Sequence, residues 1–176
     1  MTSLTTKNKL IVGNLWLAFF AAGIALAFDF ASKYLTYLYL PNQSLSNQYP
    51  YGGIPVFKDF FGIEFSLIHT TNHGAAWGIL ADYQSWLLIV RICLVLVLIA
   101  YLFFSAKEAY NIIPMTLIVA GAIGNILDYF IYGHVIDMFH FIFWSYDYPV
   151  FNVADSCIFI GICWLFFSSG FAKKVF

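Results

Sequence analysis

The sequence predicts an all-α membrane protein: four transmembrane helices, with a small outward-facing sheet and a short interfacial helix between the first two. Three observations predict this. Of 176 residues, 62% are hydrophobic and only 10% are charged, with mean hydropathy +0.82, against about a quarter charged in a soluble domain. Four apolar stretches approach the ~20 residues needed to cross ~30 Å of hydrocarbon at 1.5 Å per residue. Most charges fall in loops and at helix ends, with Arg91 and Asp128 among the exceptions inside apolar stretches. One domain, residues 1–176, is the expectation at this length. The net charge of −1 gives no basic footprint for nucleic acid.

The four spans fall at about 10–34, 86–104, 112–132 and 152–171. Lipid satisfies no backbone hydrogen bond, so each is expected to be a helix. Lys7 and Lys9 precede an apolar run too long for a signal-peptide core, so a retained first helix is expected. Lys7, Lys9, Lys107, Lys173 and Lys174 share one side of a four-span arrangement. By the positive-inside rule both termini are expected in the cytoplasm. The outer side then carries the loop 35–85 and the short connection holding Asp137.

Within the outer loop, residues 41–53 are rich in Asn, Gln, Ser, Pro and Gly and read as irregular. Ile63-Glu64-Phe65-Ser66-Leu67-Ile68-His69-Thr70 alternates as a half-buried strand does, so a small surface sheet is expected over 54–70. Asn72-His73-Gly74-Ala75-Ala76-Trp77-Gly78 reads as a turn into an interfacial helix, with Trp77 and Trp86 at headgroup depth. Cys93, Cys157 and Cys163 lie in apolar segments and suggest neither a disulfide framework nor a zinc site.

Several polar residues need a reason to sit in or beside apolar helices, where a mid-helix Asp costs roughly 2.5–3.5 kcal/mol. Asp29 and Lys33 are four apart on one helix face, acid before base. Alone they read as an interfacial pair with Lys33 snorkelling to the headgroups. Gly121, Gly124 and Asp128 form one stripe of the third helix, bordered by Asn125. The glycines alone suggest close helix packing, but Asn125 and Asp128 need polar partners. Asp137, among β-branched and aromatic residues, is expected on extended or irregular backbone. Asn152 is a good helix N-cap, and Asp155, at the third helical position, suits the positive end of the helix. Arg91, inside the second helix, needs a partner, and Asp128 is the expected one.

Asp137 and Asp155 are 18 residues apart across a short loop that can bring both to one mouth of the bundle. Two adjacent carboxyls cannot both ionise cheaply, so they share a proton. The ionised one takes a proton from water while the neutral one donates to a carbonyl. No HExxH or Cys–His arrangement competes, and Ser32, Ser66 and Ser156 have no base at a readable spacing. A metal held by His134 and His140 is not favoured, and no cofactor is expected.

These residues resemble the lipoprotein signal peptidases (signal peptidase II) over nearly the whole chain. Five blocks carry the likeness: Asp29-x-x-x-Lys33; Asn72-His73-Gly74-Ala75-Ala76-Trp77-Gly78; Gly121 to Asp128; Val135-Ile136-Asp137-Met138-Phe139; and Phe151-Asn152-Val153-Ala154-Asp155. The resemblance implies a bacterial inner-membrane aspartic protease that cuts a prolipoprotein just before its diacylglyceryl-modified cysteine, with the site near the outer (periplasmic) face. It implies an outer β-cradle and inhibition by the cyclic peptide globomycin. It makes Asp137 and Asp155 the catalytic pair. It places Asp29, Lys33, Asn72, Gly74, Ala76, Gly124, Asn125, Asp128, Asn152 and Ala154 in substrate binding or support, and the implied partners are prolipoproteins and membrane lipids, with the enzyme a monomer. One departure stands out: the family has Arg after the third-helix Asp, where this chain has Tyr129, and Arg91 is the candidate to replace it. Competing readings are an ion-coupled transporter and a non-catalytic membrane scaffold; four spans without an inverted repeat argue against the first.

Overall fold

The computed structural model describes residues 2–42, 53–74, 79, 81–104 and 111–175, with side chains for 15–42, 53–74, 79, 82–103 and 111–168. Among these residues four α-helices appear in order, α1 (Thr2–Tyr39), α2 (Gln84–Phe104), α3 (Ile112–Tyr132) and α4 (Val153–Val175). The third expected span matches residue for residue. α1 runs five residues past its expected end, because nothing from Leu35 to Tyr39 breaks a helix. α4 begins one residue later than expected because Asn152 lies outside it as the cap. Residues 75–78 of the expected interfacial helix, Ala76 and Trp77 included, lie outside the described residues; a 3-10 turn over Ala81–Tyr83 leads into α2.

Among the described residues, three helical stretches, Leu15–Tyr39, Gln84–Phe103 and Ile112–Tyr132, are long and apolar enough to cross a membrane, and Val153–Ser168 is a shorter apolar helix. Only 6% of the most apolar stretch of α2 is buried within the protein. An apolar helix bare on nearly every side is at home in lipid and not in water. α3 is the central helix, packed most extensively on α4, then α1, then α2. Small residues permit this. A Cβ at Gly121 would collide with the Ala154 carbonyl of α4, and one at Gly161 would lie 2.6 Å from the Pro114 carbonyl of α3.

The sheet is larger than the one expected over 54–70, although the chain remains mostly helical. β1 (Ile54–Phe60), β2 (Ile63–Asn72), β3 (Val135–Phe143) and β4 (Tyr146–Asp147) form one antiparallel sheet in that order. The β3–β4 turn has positive φ at Trp144 and Ser145, two residue types that do not announce such a turn. Asp137 lies on β3, opposite Thr70. The β2–β3 register slips between Leu67 and Thr70. There the Met138 and Phe139 N–H groups both turn to the Phe151 carbonyl, at 3.1 and 2.8 Å, and Phe151 N–H returns to Phe139 at 3.2 Å. This irregularity ties the chain entering α4 to β3, immediately beside Asp137.

Candidate active site

The start of α4 is a reciprocal cap. The Asp155 N–H donates to Asn152 Oδ1 at 2.8 Å, and the Asn152 N–H donates to Asp155 Oδ2 at 3.3 Å. This satisfies an otherwise unpaired N-terminal amide and fixes the Asp155 rotamer. The fully buried Asn152 also donates through Nδ2 to Asp137 Oδ1 at 2.7 Å, with the Ile136 carbonyl and Asn125 Oδ1 further off at 3.3 and 3.2 Å. One asparagine therefore grips both candidate carboxylates, one by side-chain N–H donation and the other through the cap.

Each carboxylate has a second amide donor. Asn72, at the end of β2, donates to Asp137 Oδ2 at 2.9 Å. Asn125, on α3, donates to Asp155 Oδ1 at 2.8 Å. Asp137 is only 2% exposed. Burial pushes its carboxyl from the ordinary 3.8 up to about 7, the charge of Asp155 adds to this, and hydrogen bonds from Asn72 and Asn152 work against it. Burial and the neighbouring Asp155 charge thus both favour the protonated form of Asp137.

Behind this pair sits a buried ion cluster. Lys33, fully buried, reaches Asp29 Oδ2 and Asp128 Oδ2, both at 2.7 Å, and Asn125 Oδ1 at 3.1 Å. All three ammonium hydrogens are used, so Lys33 does not snorkel to the membrane surface. Asp29 Oδ1 accepts the Ala154 N–H at 2.8 Å, and Asp128 Oδ2 accepts the Ile136 N–H at 3.3 Å. Gly124 leaves room for Asp29, since a Cβ there would lie 2.6 Å from Asp29 Oδ2. The expected Arg91–Asp128 pairing is overturned: Lys33 occupies Asp128, and Arg91 donates to the Gly74 carbonyl at 2.8 Å. Gly74 in turn donates its N–H to Asn72 Oδ1 at 2.9 Å.

Two grooves meet at Asp155. One, about 380 Å³, is lined by Asn72, Gly74, Arg91, Asn125 and the Pro149–Phe151 segment among others. The other, about 590 Å³, is walled by Phe141, Phe143, Tyr148, Phe151, Phe159 and Ile160. The sequence did not reveal the second: its rings come from β3, the loop after β4 and α4, and only strand pairing stacks Phe141 on Phe65 with centroids 4.3 Å apart. Ser66 also departs from expectation. Its Oγ lies 3.3 Å from His140 Nδ1, and His140 Nε2 lies 2.7 Å from Asp147. The partner was unreadable because it is 74 residues away, directly across the β2–β3 ladder. Ser66 lines neither groove, and the contact pins strands together.

The family described as signal peptidase (SPase) II matches residues 21–171. A lipoprotein signal peptidase of Chlamydia pneumoniae is 38% identical over 112 residues, covering 62% of this chain and 67% of that protein. One from Staphylococcus haemolyticus (strain JCSC1435) is 38% identical over 97 residues, covering 53% and 60%. One from Staphylococcus aureus (strain JH9) is 40% identical over 95 residues, covering 52% and 56%. The chain's matches thus span between somewhat over half and about two thirds of the length of these relatives. A solved structure, described as a bacterial membrane enzyme determined by the in meso method at 2.3 Å, superposes with TM-score 0.74 at 25% identity, covering 86% of each chain.

Proposed function

Since the chain belongs to the signal peptidase II family, we propose that it is an aspartic endopeptidase of the bacterial membrane. It removes the signal peptide from diacylglyceryl-modified prolipoproteins, cutting just before the lipidated cysteine. The observation that carries this reading is the single asparagine, Asn152, that holds Asp137 and Asp155 together where two grooves meet. In the mechanism, water sits between the carboxyls. Asp155, at the N-terminus of α4 where a negative charge is favoured, takes a proton from the water. Asp137 carries the shared proton and gives it to the scissile carbonyl. The tetrahedral intermediate then collapses as a proton passes to the leaving amine. The assignment is one microstate of a jointly titrating pair.

The aromatic groove suits the acyl chains and the amide-lined groove suits the peptide, so lipid anchoring supplies much of the binding. α4 acts as a fourth span, the lysine-bearing ends lie in the cytoplasm, and the four-stranded sheet forms a cradle at the outer face. The enzyme works as a monomer on membrane-borne substrate. The test uses a diacylglyceryl-cysteine peptide and its unlipidated twin, with and without globomycin. Asp137→Asn and Asp155→Asn each abolish cleavage while the fold survives. Cleavage retained by either variant refutes the dyad. Equal turnover of both peptides refutes the substrate assignment.

A further inference from the structure

Arg91 is the sole arginine of the chain and lies inside the most apolar helix, seven residues from the start of α2. A guanidinium there is costly unless a polar group receives it. The receiver is neither of the inner carboxylates. It is the backbone carbonyl of Gly74, at 2.8 Å, beside the groove that Arg91 lines together with Asn72, Asn125 and Asp155.

From Gly74 the contacts continue without a gap. The Gly74 N–H donates to Asn72 Oδ1 at 2.9 Å, and Asn72 Nδ2 donates to Asp137 Oδ2 at 2.9 Å. The order of donors fixes the orientation of the amide. A backbone N–H can only donate, so Asn72 must present its oxygen to Gly74 and its NH₂ to Asp137. Gly74 has no Cβ to restrict its backbone, so the peptide that anchors Asn72 needs an external hold. The planar guanidinium supplies a fixed donor for that purpose.

We propose that Arg91 is a positioning residue: by holding the Gly74 carbonyl it sets the Asn72 side chain, and through Asn72 the orientation of the Asp137 carboxyl. The role rests on the proposed peptidase reading for its catalytic consequence, but its structural consequence is measurable without turnover. It also accounts for the departure at Tyr129. A positive group is present near the site, delivered from α2 rather than from the end of the third-helix block.

The test uses the full chain in lipid nanodiscs. With a diacylglyceryl-cysteine peptide, Arg91→Met lowers kcat about tenfold to a hundredfold, the scale of a slightly misplaced reacting group, with KM nearly unchanged. Arg91→Lys recovers part of the loss. Asn72→Ala, damaging in the native background, costs little more in the Arg91→Met background, because both act on one path. Additive losses, or a raised KM with unchanged kcat, overturn the proposal. Independently of cleavage, infrared titration follows the Asp137 carboxyl band, assigned by its loss in Asp137→Asn. The groups around Asp137 are Asp155 of α4, Lys33 of α1, Asn152, Asn72 of β2, and Asp128 of α3 through the neighbouring Ile136 N–H. Arg91→Met removes both the Asn72 contact and the Arg91 charge, each of which moves the midpoint upward; Arg91→Lys keeps the charge, so a midpoint still raised there reports the lost Asn72 bond. An unmoved midpoint overturns the proposal. If the native protein leaves the lipidated peptide intact, the peptidase reading fails while the infrared result still decides the role of Arg91.

Discussion

Replacing Lys33 by Met tests whether the buried ion cluster holds the helices together. Lys33 is wholly buried, and its ammonium is shared among Asp29, Asp128 and Asn125 at 2.7, 2.7 and 3.1 Å. Met fills a similar volume but leaves two carboxylates facing each other without a counter-charge. Breaking a buried pair from one side costs about 3–5 kcal/mol. At about 2–4 °C per kcal/mol for a chain of this size, the thermal midpoint in detergent falls by roughly 6–20 °C. Tryptophan fluorescence during a thermal ramp reads this. Neutralising the survivors as well, in Asp29→Asn/Lys33→Met/Asp128→Asn, recovers much of the loss, because a buried ion cluster is often replaceable by neutral groups. A Lys33→Met midpoint within about 2 °C of the native value refutes the argument. So does a triple variant less stable than the single one.

Two further predictions follow the same contacts. Gly124→Ala places a Cβ 2.6 Å from Asp29 Oδ2 and 3.3 Å from the Ala154 Cβ, so it destabilises by about 1–3 kcal/mol, the usual overpacking cost. Gly23→Ala meets nothing within 4 Å and gains up to about 1 kcal/mol of helix propensity; equal melting shifts for the two would contradict the packing account. Asp137, raised from 3.8 to about 7, keeps a proton in the folded protein that the unfolded chain has already released. Stability therefore falls as pH rises through roughly 4 to 7. Asp137→Asn flattens that decline in denaturation curves taken across the window, and the cleavage rate of the native enzyme drops on the alkaline side of about 7.

Much of this site was legible because its residues violate their surroundings. Asp29, Lys33, Asn125, Asp128 and Asn152 sit in or beside apolar helices, where only a polar partner explains them. The Asn152–Asp155 cap was readable from the spacing of three. The structure changed what depends on long-range pairing. Arg91 and Asp128 are both charged and both within helices, so pairing them was reasonable, but helix order puts α1, not α2, against that carboxylate. The Ser66–His140 contact and the aromatic groove depend on strand register, and the extended backbone expected around Asp137 gave no sign of pairing with β2, since its inward side chains do not alternate cleanly with polar ones. The small sheet expected over 54–70 needed a partner 70 residues away to become four-stranded.

Asp29 is the joint between the ion cluster and the proposed dyad, and this leads to the most discriminating variant pair. One of its oxygens meets Lys33. The other accepts the Ala154 N–H, an amide at the first turn of α4 that the helix itself leaves unpaired. The Asp155 N–H next to it is taken by Asn152 and the Ser156 N–H by the Asn152 carbonyl, at 2.8 and 3.2 Å. The start of α4, and with it the Asp155 carboxylate, is therefore located by α1 as well as by its own cap. Asp29→Asn keeps an oxygen for Ala154 and loses the charge opposite Lys33. Asp29→Ala loses both and leaves the Ala154 N–H without its acceptor, a further cost of about 1–3 kcal/mol. If α1 positions the dyad through this hydrogen bond, Asp29→Ala cleaves the lipidated peptide at least about tenfold more slowly than Asp29→Asn, a difference of ~1.4 kcal/mol in the barrier. If the two variants are equally slow, the ion pair alone accounts for Asp29, and the cap alone sets the position of Asp155.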